Sequence, residues 1–297
     1  MRQGDTISPK LFTASLEDTF RNLNWEDKGI FINGRKLNNL RFADDVTIIS
    51  ESLVELETCL NELSVESRKK GLKMNMDKTK ILSNAHATPG IVKVEEYEIE
   101  QVNSYIYLGQ RESLREKDQE GEINRRIQAG WKSFNDNKDI LKSNIPLSLK
   151  RKLYNQCILP AMTYASETWT MTKRMEQKLA ASQRKMERSI LGITWEDHKT
   201  NDWIRNKTGI RDIIETVKRK KWTWAGHISR MRDDRWTNTV TEWRPRDGKR
   251  ARGRPMKRWR DEIDSHWRSV TWRRDAQDRC SWKNHAEAFI QQVDRYG

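Results

Sequence analysis

Apolar positions in the first hundred residues alternate between helical and strand spacing. Phe12, Leu16, Phe20 and Leu23 fall on one face of a helix, and Ser8-Pro9 ahead of them reads as an N-cap followed by a first helical residue. Gly29-Ile30-Phe31-Ile32 predicts a short strand, and Asn33-Gly34 is the dipeptide of a two-residue hairpin turn. Leu40 to Ile49 reads apolar, acidic, apolar: a strand, Asp44-Asp45 at its tip, and a second strand over Val46–Ile49. Ser52 with Glu55 three residues on is a capping box. It opens a helix with Leu53, Leu56, Leu60 and Leu63 on one face, closed by Gly71 in a left-handed cap. Further strands are predicted over Lys73–Met76, Lys80–Ser83 and Tyr105–Leu108. Elements mixed on this scale predict an α+β layer, a small antiparallel sheet with helices on one face.

From about Glu122 the period becomes helical throughout. Ile123, Ile127 and Phe134 mark one helix; Leu149, Leu153 and Cys157 mark a second, which Pro160 should kink or end. Leu179, Met186 and Ile190 mark a third, and Ile213, Ile214, Val217 and Trp224 a fourth. The Pro/Gly/Arg stretch from Arg244 to Pro255 reads as an exposed linker. No internal repeat is visible.

Charge divides the 297-residue chain. Residues 1–110 carry 14 basic and 17 acidic side chains, net −3, whereas residues 111–297 carry 43 and 26, net +17. Such a surplus attracts a polyanion, and nucleic acid is the usual one. A merely solvated basic tail is the alternative, but aromatic residues are interleaved with the charges: ten of the thirteen Trp lie between Trp195 and Trp282. No stretch approaches the ~20 apolar residues of a membrane span. Three Cys with no signal peptide predict a reducing compartment, hence an intracellular protein, nuclear or cytoplasmic.

Asp44-Asp45 carries the sharpest chemistry. Adjacent carboxylates repel unless a cation neutralises them, and Mg²⁺ is commonly held by one or two carboxylates plus substrate phosphates. Two solvated acids in a surface turn remain the alternative on the dipeptide alone. The surrounding motifs narrow the choice. Arg2-Gln3-Gly4-Asp5-Thr6-Ile7-Ser8-Pro9, Phe42-Ala43-Asp44-Asp45, Gly71-Leu72-Lys73-Met74-Asn75-Met76-Asp77-Lys78-Thr79-Lys80 and Tyr105-Ile106-Tyr107-Leu108-Gly109 follow in order. This succession resembles the reverse transcriptases of non-LTR retrotransposons. Trp222-Thr223-Trp224-Ala225-Gly226-His227 and Gly253-Arg254-Pro255 also resemble the C-terminal region of such elements, so the resemblance covers nearly the whole chain.

The resemblance implies an organisation and a set of roles. Residues 1–110 would be the C-terminal part of a polymerase palm, 111–165 a helical thumb-like region, and 166–297 a basic Trp-rich region with an exposed linker near 244–256. Asp44 and Asp45 would be the catalytic, metal-binding pair, with Mg²⁺ (or Mn²⁺) as cofactor. Arg2, Gln3, Gly4 and Lys78 would contact nucleotide or template, the last with a plain surface Lys as its alternative. Tyr107, Leu108 and Gly109 would form the primer grip. RNA, DNA and dNTPs are the implied partners, and RNA-templated DNA synthesis the implied ancestral reaction. A complete palm in this family has another strand upstream of the Arg-Gln-Gly motif, carrying a further metal-binding Asp, and here Met1 directly precedes Arg2. These residues alone are therefore expected to be inactive. A non-catalytic nucleic-acid-binding protein or a functionless element relic are the alternatives.

Between Arg244 and Arg260 stand nine basic residues and one acid. Arg250, Arg252, Arg254, Lys257 and Arg258 are the candidate nucleic-acid contacts. Arg252-Gly253-Arg254-Pro255 resembles an AT-hook, with plain phosphate attraction as the alternative. Trp259, Trp267, Trp272 and Trp282 are either base-stacking residues or core. Cys280 and His285 have a knuckle-like gap with no second Cys pair nearby, so no zinc is expected.

Overall fold

The computed structural model describes residues 5–114, 119–194, 196–233, 235–243, 257–267 and 271–291. The chain divides into two compact units, Met1–Glu116 with Glu242–Pro245, and Lys117–Thr241 with Arg246–Gly297.

The first unit is a mixed α+β body. Helix α1 (Ser8–Arg21) is followed by the hairpin β1 (Ile30–Ile32) and β2 (Arg35–Leu37), then by β3 (Asn39–Phe42) and β4 (Asp45–Ile48), then by helix α2 (Leu53–Lys69). Short strands β5 (Ile81–Leu82), β6 (Lys93–Val94), β7 (Tyr97–Glu98), β8 (Gln101–Val102), β9 (Tyr105–Tyr107) and β10 (Gln110–Glu112) complete it. Asn33 and Gly34 both take positive φ (47° and 88°) between paired Ile32 and Arg35, the geometry a primed two-residue turn needs. Ser52 caps α2 by accepting from the Glu55 amide at 3.2 Å. Gly71, at φ 72°, closes it: its N–H reaches Arg68 O at 2.9 Å while Leu72 N–H reaches Ser67 O at 2.9 Å.

Three sequence expectations need correction. Ser8 is not the N-cap of α1; Ile7 is, already helical at φ −87°, ψ −30°, because the Asp5 carboxylate accepts its N–H at 3.1 Å and starts the turn earlier. Residues 73–76 form no strand, and none of them pairs with a strand among the described residues. Leu72, Met74 and Met76 alternate inward as in a strand, yet Asn75 closes a turn by accepting from Lys78 N–H at 3.1 Å. The small antiparallel sheet is instead, among the described residues, five separate two-stranded pairs, one of them, β5 with β8, parallel. Strands of two to four residues offer too little ladder to join into one sheet.

The second unit is helical: α3 (Gln119–Asp136), α4 (Lys138–Lys142), α5 (Leu147–Leu153), α6 (Leu159–Met162), α7 (Lys173–Leu191), α8 (Asn201–Thr208), α9 (Ile213–Arg230), α10 (Trp236–Glu242), α11 (Asp261–Trp267), α12 (Trp272–Asp275), α13 (Arg279–Asn284) and α14 (Ala286–Gln291). Between α5 and α6 the chain widens into a π turn over Tyr154–Ile158, one turn before Pro160, which has no N–H to give and would crowd a tighter helix. One core joins Ile123, Phe134, Tyr154, Met162, Leu179, Met186, Ile213 and Val217. A second gathers Trp222, Trp272, Trp282 and Phe289, with Trp259 and Trp267 packed against it.

That second core takes in five of the ten late Trp residues, including all four candidates for base stacking. Trp222 and Trp282 stack with centroids 3.8 Å apart and planes 3° from parallel. Each indole N–H donates to the other's carbonyl, Trp222 Nε1 to Trp282 O at 2.8 Å and Trp282 Nε1 to Trp222 O at 3.0 Å. Trp259 donates to Glu167 O at 2.7 Å, Trp267 to Asp275 Oδ2 at 2.6 Å and Trp272 to Asp264 Oδ1 at 2.8 Å. Such pairing is what permits an indole to be buried. Gly226 of α9 makes the stack possible, since a Cβ there would lie 2.5 Å from Trp282 Nε1.

Candidate active site and nucleic-acid interface

The acid pair sits where the hairpin turns. Phe42 pairs with Asp45, leaving Ala43-Asp44 as the two-residue loop. Ala43 takes φ 52°, a left-handed conformation that costs a residue with a Cβ about 1–3 kcal/mol. Val46 and Ile48 of β4 pack against Leu16, Phe20, Cys59 and Leu63, so strand alternation sends Asp45 and Thr47 to the other face. Both acids are exposed, and neither carboxylate has a hydrogen bond or ion pair to a described residue.

The hairpin itself is braced. Asn38 O accepts the Ile49 N–H at 2.8 Å, and Asn38 Nδ2 donates to Trp25 O at 2.5 Å. Arg41 of β3 lies 4.4 Å from the Phe20 ring centroid and 2.8 Å from Glu17 Oε2, tying the strand to α1. Sequence reasoning missed this brace; its signal was an Arg between the apolar Leu40 and Phe42. Beneath it, Glu62 accepts from Trp25 Nε1 and Lys28 Nζ, each at 2.6 Å. Burial raises the Glu62 carboxyl, but these two donors outweigh it and hold the group below its ordinary value.

The donor set at the tip fits a hard divalent cation. Mg²⁺ takes oxygen ligands, few of them from protein, and keeps room for phosphate and water. Two adjacent carboxylates with no competing protein donor meet that description. Among the described residues no group of three or more His, Cys, Asp or Glu gathers as a metal cluster.

The remaining candidates are placed unevenly. Lys78 is exposed in the Asn75 turn, and its carbonyl accepts from the Tyr105 hydroxyl at 3.2 Å, which joins that turn to β9. Tyr107 pairs with Gln110 across a turn in which Leu108 (φ 47°) and Gly109 (φ 74°) are both left-handed, so the Tyr107-Leu108-Gly109 motif forms a tight hairpin with β10. Arg2, Gln3 and Gly4 lie outside the described residues, as do Arg250, Arg252, Arg254 and the linker containing them. Lys257 Nζ is held by Met171 O at 2.7 Å and Glu262 Oε1 at 2.6 Å, and Arg258 N–H by Asp261 Oδ2 at 2.7 Å. Lys221, buried in α9, reaches the same Glu262 at 2.7 Å; burial, opposed by that carboxylate, holds its ammonium below the usual lysine value.

A braced hairpin presents the paired acids, and a second hairpin and a basic helical unit follow it in the chain. The family described as "Reverse transcriptase (RNA-dependent DNA polymerase)" matches residues 1–111. An uncharacterized transposon-derived protein of Caenorhabditis elegans is 36% identical over 267 residues, covering 84% of this chain and 95% of the worm protein. The retrovirus-related Pol polyprotein of the type-1 retrotransposable element R2 of Nasonia vitripennis is 32% identical over 74 residues, 25% of this chain and 7% of that polyprotein. The chain belongs to the reverse transcriptase family of transposon-derived proteins. No helix among the described residues is long and apolar enough to cross a membrane.

Proposed function

We propose that residues 1–110 serve as the C-terminal part of a reverse-transcriptase palm, and that the basic residues 111–297 hold the RNA and DNA strands. One observation carries the reading: Asp44 and Asp45 stand exposed and without a described protein partner on a braced, locally strained hairpin, inside the stretch that matches the family. When bound there, Mg²⁺ or Mn²⁺ supplies the positive charge that phosphoryl transfer from a dNTP requires. The chain's own residues do the positioning. Asp44 and Asp45 hold the cation, and the Arg41 contacts to Glu17 and Phe20 keep the hairpin from shifting. Arg2, Gln3 and Gly4 contact the incoming nucleotide and the template base, and Lys78 reaches the departing phosphates. Tyr107, Leu108 and Gly109 seat the primer end.

The family's palm uses a further carboxylate from a strand upstream of Arg2-Gln3-Gly4, so these 297 residues assayed alone are expected to give no templated extension. Loss of positioned charge of this kind costs orders of magnitude in rate. The test is primer extension on poly(rA)/oligo(dT) with Mg²⁺. Extension that disappears in Asp44→Ala and Asp45→Ala would refute the expected inactivity. A second reading, non-catalytic nucleic-acid binding, is favoured by the +17 of residues 111–297. On that reading the two Asp variants bind RNA as the parent does, with a steep salt dependence.

A further inference from the structure

Most indoles of the second unit are inside it, but Trp203 is not. The residue is 40% exposed. It lies on α8, whose inward stripe is Ile204 and Thr208, both fully buried. Thr200 caps the helix by accepting the Trp203 N–H at 3.2 Å, and Gly209, at φ 58°, ends it, so the position of the ring on the helix surface is fixed at both ends. A placement one residue later would have put this ring on the buried stripe. Its indole N–H makes no hydrogen bond to a described residue, in contrast to Trp222, Trp259, Trp267, Trp272 and Trp282.

The surroundings of the ring are cationic along the helix axis. Lys199 Nζ lies 5.3 Å from the Trp203 centroid. Lys207 stands four residues on, one helical turn away on the same stripe, and is exposed. Asp202 precedes Trp203 on the helix, and of the acids before α8, Glu196 and Asp197, the second accepts Thr194 N–H at 2.7 Å. Arg205 is paired with Asp212, and Arg188 with Asn201 at 2.9 Å. The two lysines next to the indole therefore remain available to phosphates.

We propose that Trp203, with Lys199 and Lys207, is a stacking platform for an unpaired base of single-stranded RNA or DNA. Such sites combine an aromatic face, which tolerates any base, with cations that track the backbone. A duplex keeps its bases stacked on each other and cannot use the ring. The inference rests on the reading that the basic C-terminal region binds nucleic acid, and assigns that reading a residue and a strand form.

The test uses the full 297-residue chain and fluorescein-labelled oligonucleotides of about 20 nucleotides, single-stranded and duplex, in anisotropy titrations at several salt concentrations. Trp203→Ala is expected to weaken single-strand binding roughly 5- to 100-fold while leaving the salt slope and duplex affinity unchanged. Trp203→Phe should keep most of the affinity, and Lys199→Gln should reduce the salt slope by about one. Because the ring is exposed, Trp203→Ala should melt with the parent, and circular dichroism checks this. Equal single-strand affinity of Trp203→Ala and parent, or equal losses on single strand and duplex, overturns the platform while leaving nucleic-acid binding standing. A parent chain that binds neither form overturns both readings.

Discussion

Replacing Gly226 by Ala pits two effects of opposite sign against each other. Gly226 lies in α9, where Ala would ordinarily stabilise the helix by about 0.8–1.0 kcal/mol. Against that, the added Cβ would stand 2.5 Å from Trp282 Nε1, 2.6 Å from Trp282 Cδ1 and 3.0 Å from Arg230 Nη1. Trp282 cannot retreat freely, since it is stacked on Trp222 and held by the reciprocal indole-to-carbonyl bonds. Overpacking costs about 1–3 kcal/mol, and displacing the indole weakens two hydrogen bonds of about 1 kcal/mol each. The net expectation is a loss of about 2–3 kcal/mol. At about 2–4 °C per kcal/mol for a unit of this size, the melting temperature falls by roughly 5–10 °C. Thermal melting followed by near-UV circular dichroism, which reports the Trp stack, measures it. A melting temperature that rises, as helix propensity alone demands, with the near-UV signal intact, would refute the close approach of α9 to Trp282.

Arg184→Met should lose about 3–5 kcal/mol in urea unfolding, because it leaves Glu187 (2.5 Å from Arg184) without its cation in the interior and takes from Asp212 (2.7 Å) one of two guanidinium partners, the other being Arg205; burial already raises the Glu187 carboxyl against Arg184's attraction. Glu62, held below its ordinary value, contributes stability that is present above about pH 4.5 and is lost as the pH falls through its folded-state value. Glu62→Gln should therefore flatten the acid limb of the urea midpoint against pH, and an unchanged limb would contradict the assignment. Mn²⁺ added to the chain should broaden amide resonances at residues 42–47 before others, and Asp45→Asn should abolish this; uniform broadening would count against the acid pair as a cation site.

Local signals were the legible part of this sequence. Asn33-Gly34, Ser52 with Glu55 and Gly71 each dictate a backbone event through their own chemistry, and the structure shows a turn, a cap and a left-handed close at those places; Pro160, expected to kink or end its helix, instead follows a π turn in a chain that stays helical to Met162. The capping box illustrates the limit. Glu55 does not reach back to Ser52; its carboxylate is taken by the Ser50 hydroxyl and Glu51 N–H at 3.3 Å just upstream, and by Gly29 N–H at 3.4 Å, whose proximity is tertiary. Strand pairing was illegible for the same reason. Alternation at Leu72, Met74 and Met76 says which side is buried, not whether a partner strand exists. Among the late helices, Trp224 on the Ile213–Val217 face was the expected core residue of α9, yet Trp222 is the buried one. Helix α9 serves both cores, and its buried side turns from Val217 toward Trp222 and Ala225 along its length.

The charge division takes on a different meaning once contacts are known. In the second unit many acids are spent on internal pairs: Glu122 with Arg125 and Arg126, Glu120 with Arg174 and Lys178, Glu262 with Lys221 and Lys257, Asp264 with Arg260. These pairs cancel charge locally and fix helices, so they contribute little to the field outside. The net surplus of 17 in residues 111–297 is what a polyanion would meet, in binding that is strong and salt-dependent. In the first unit the acid pair is the converse: Asp44 and Asp45 are negative charges that the described fold leaves uncompensated, on a turn whose Ala43 backbone is itself strained. A fold serving stability alone would place Gly at that φ and a neutral residue beside it. The hairpin does neither, which is what the proposed role of the tip, holding a cation and phosphates, would require.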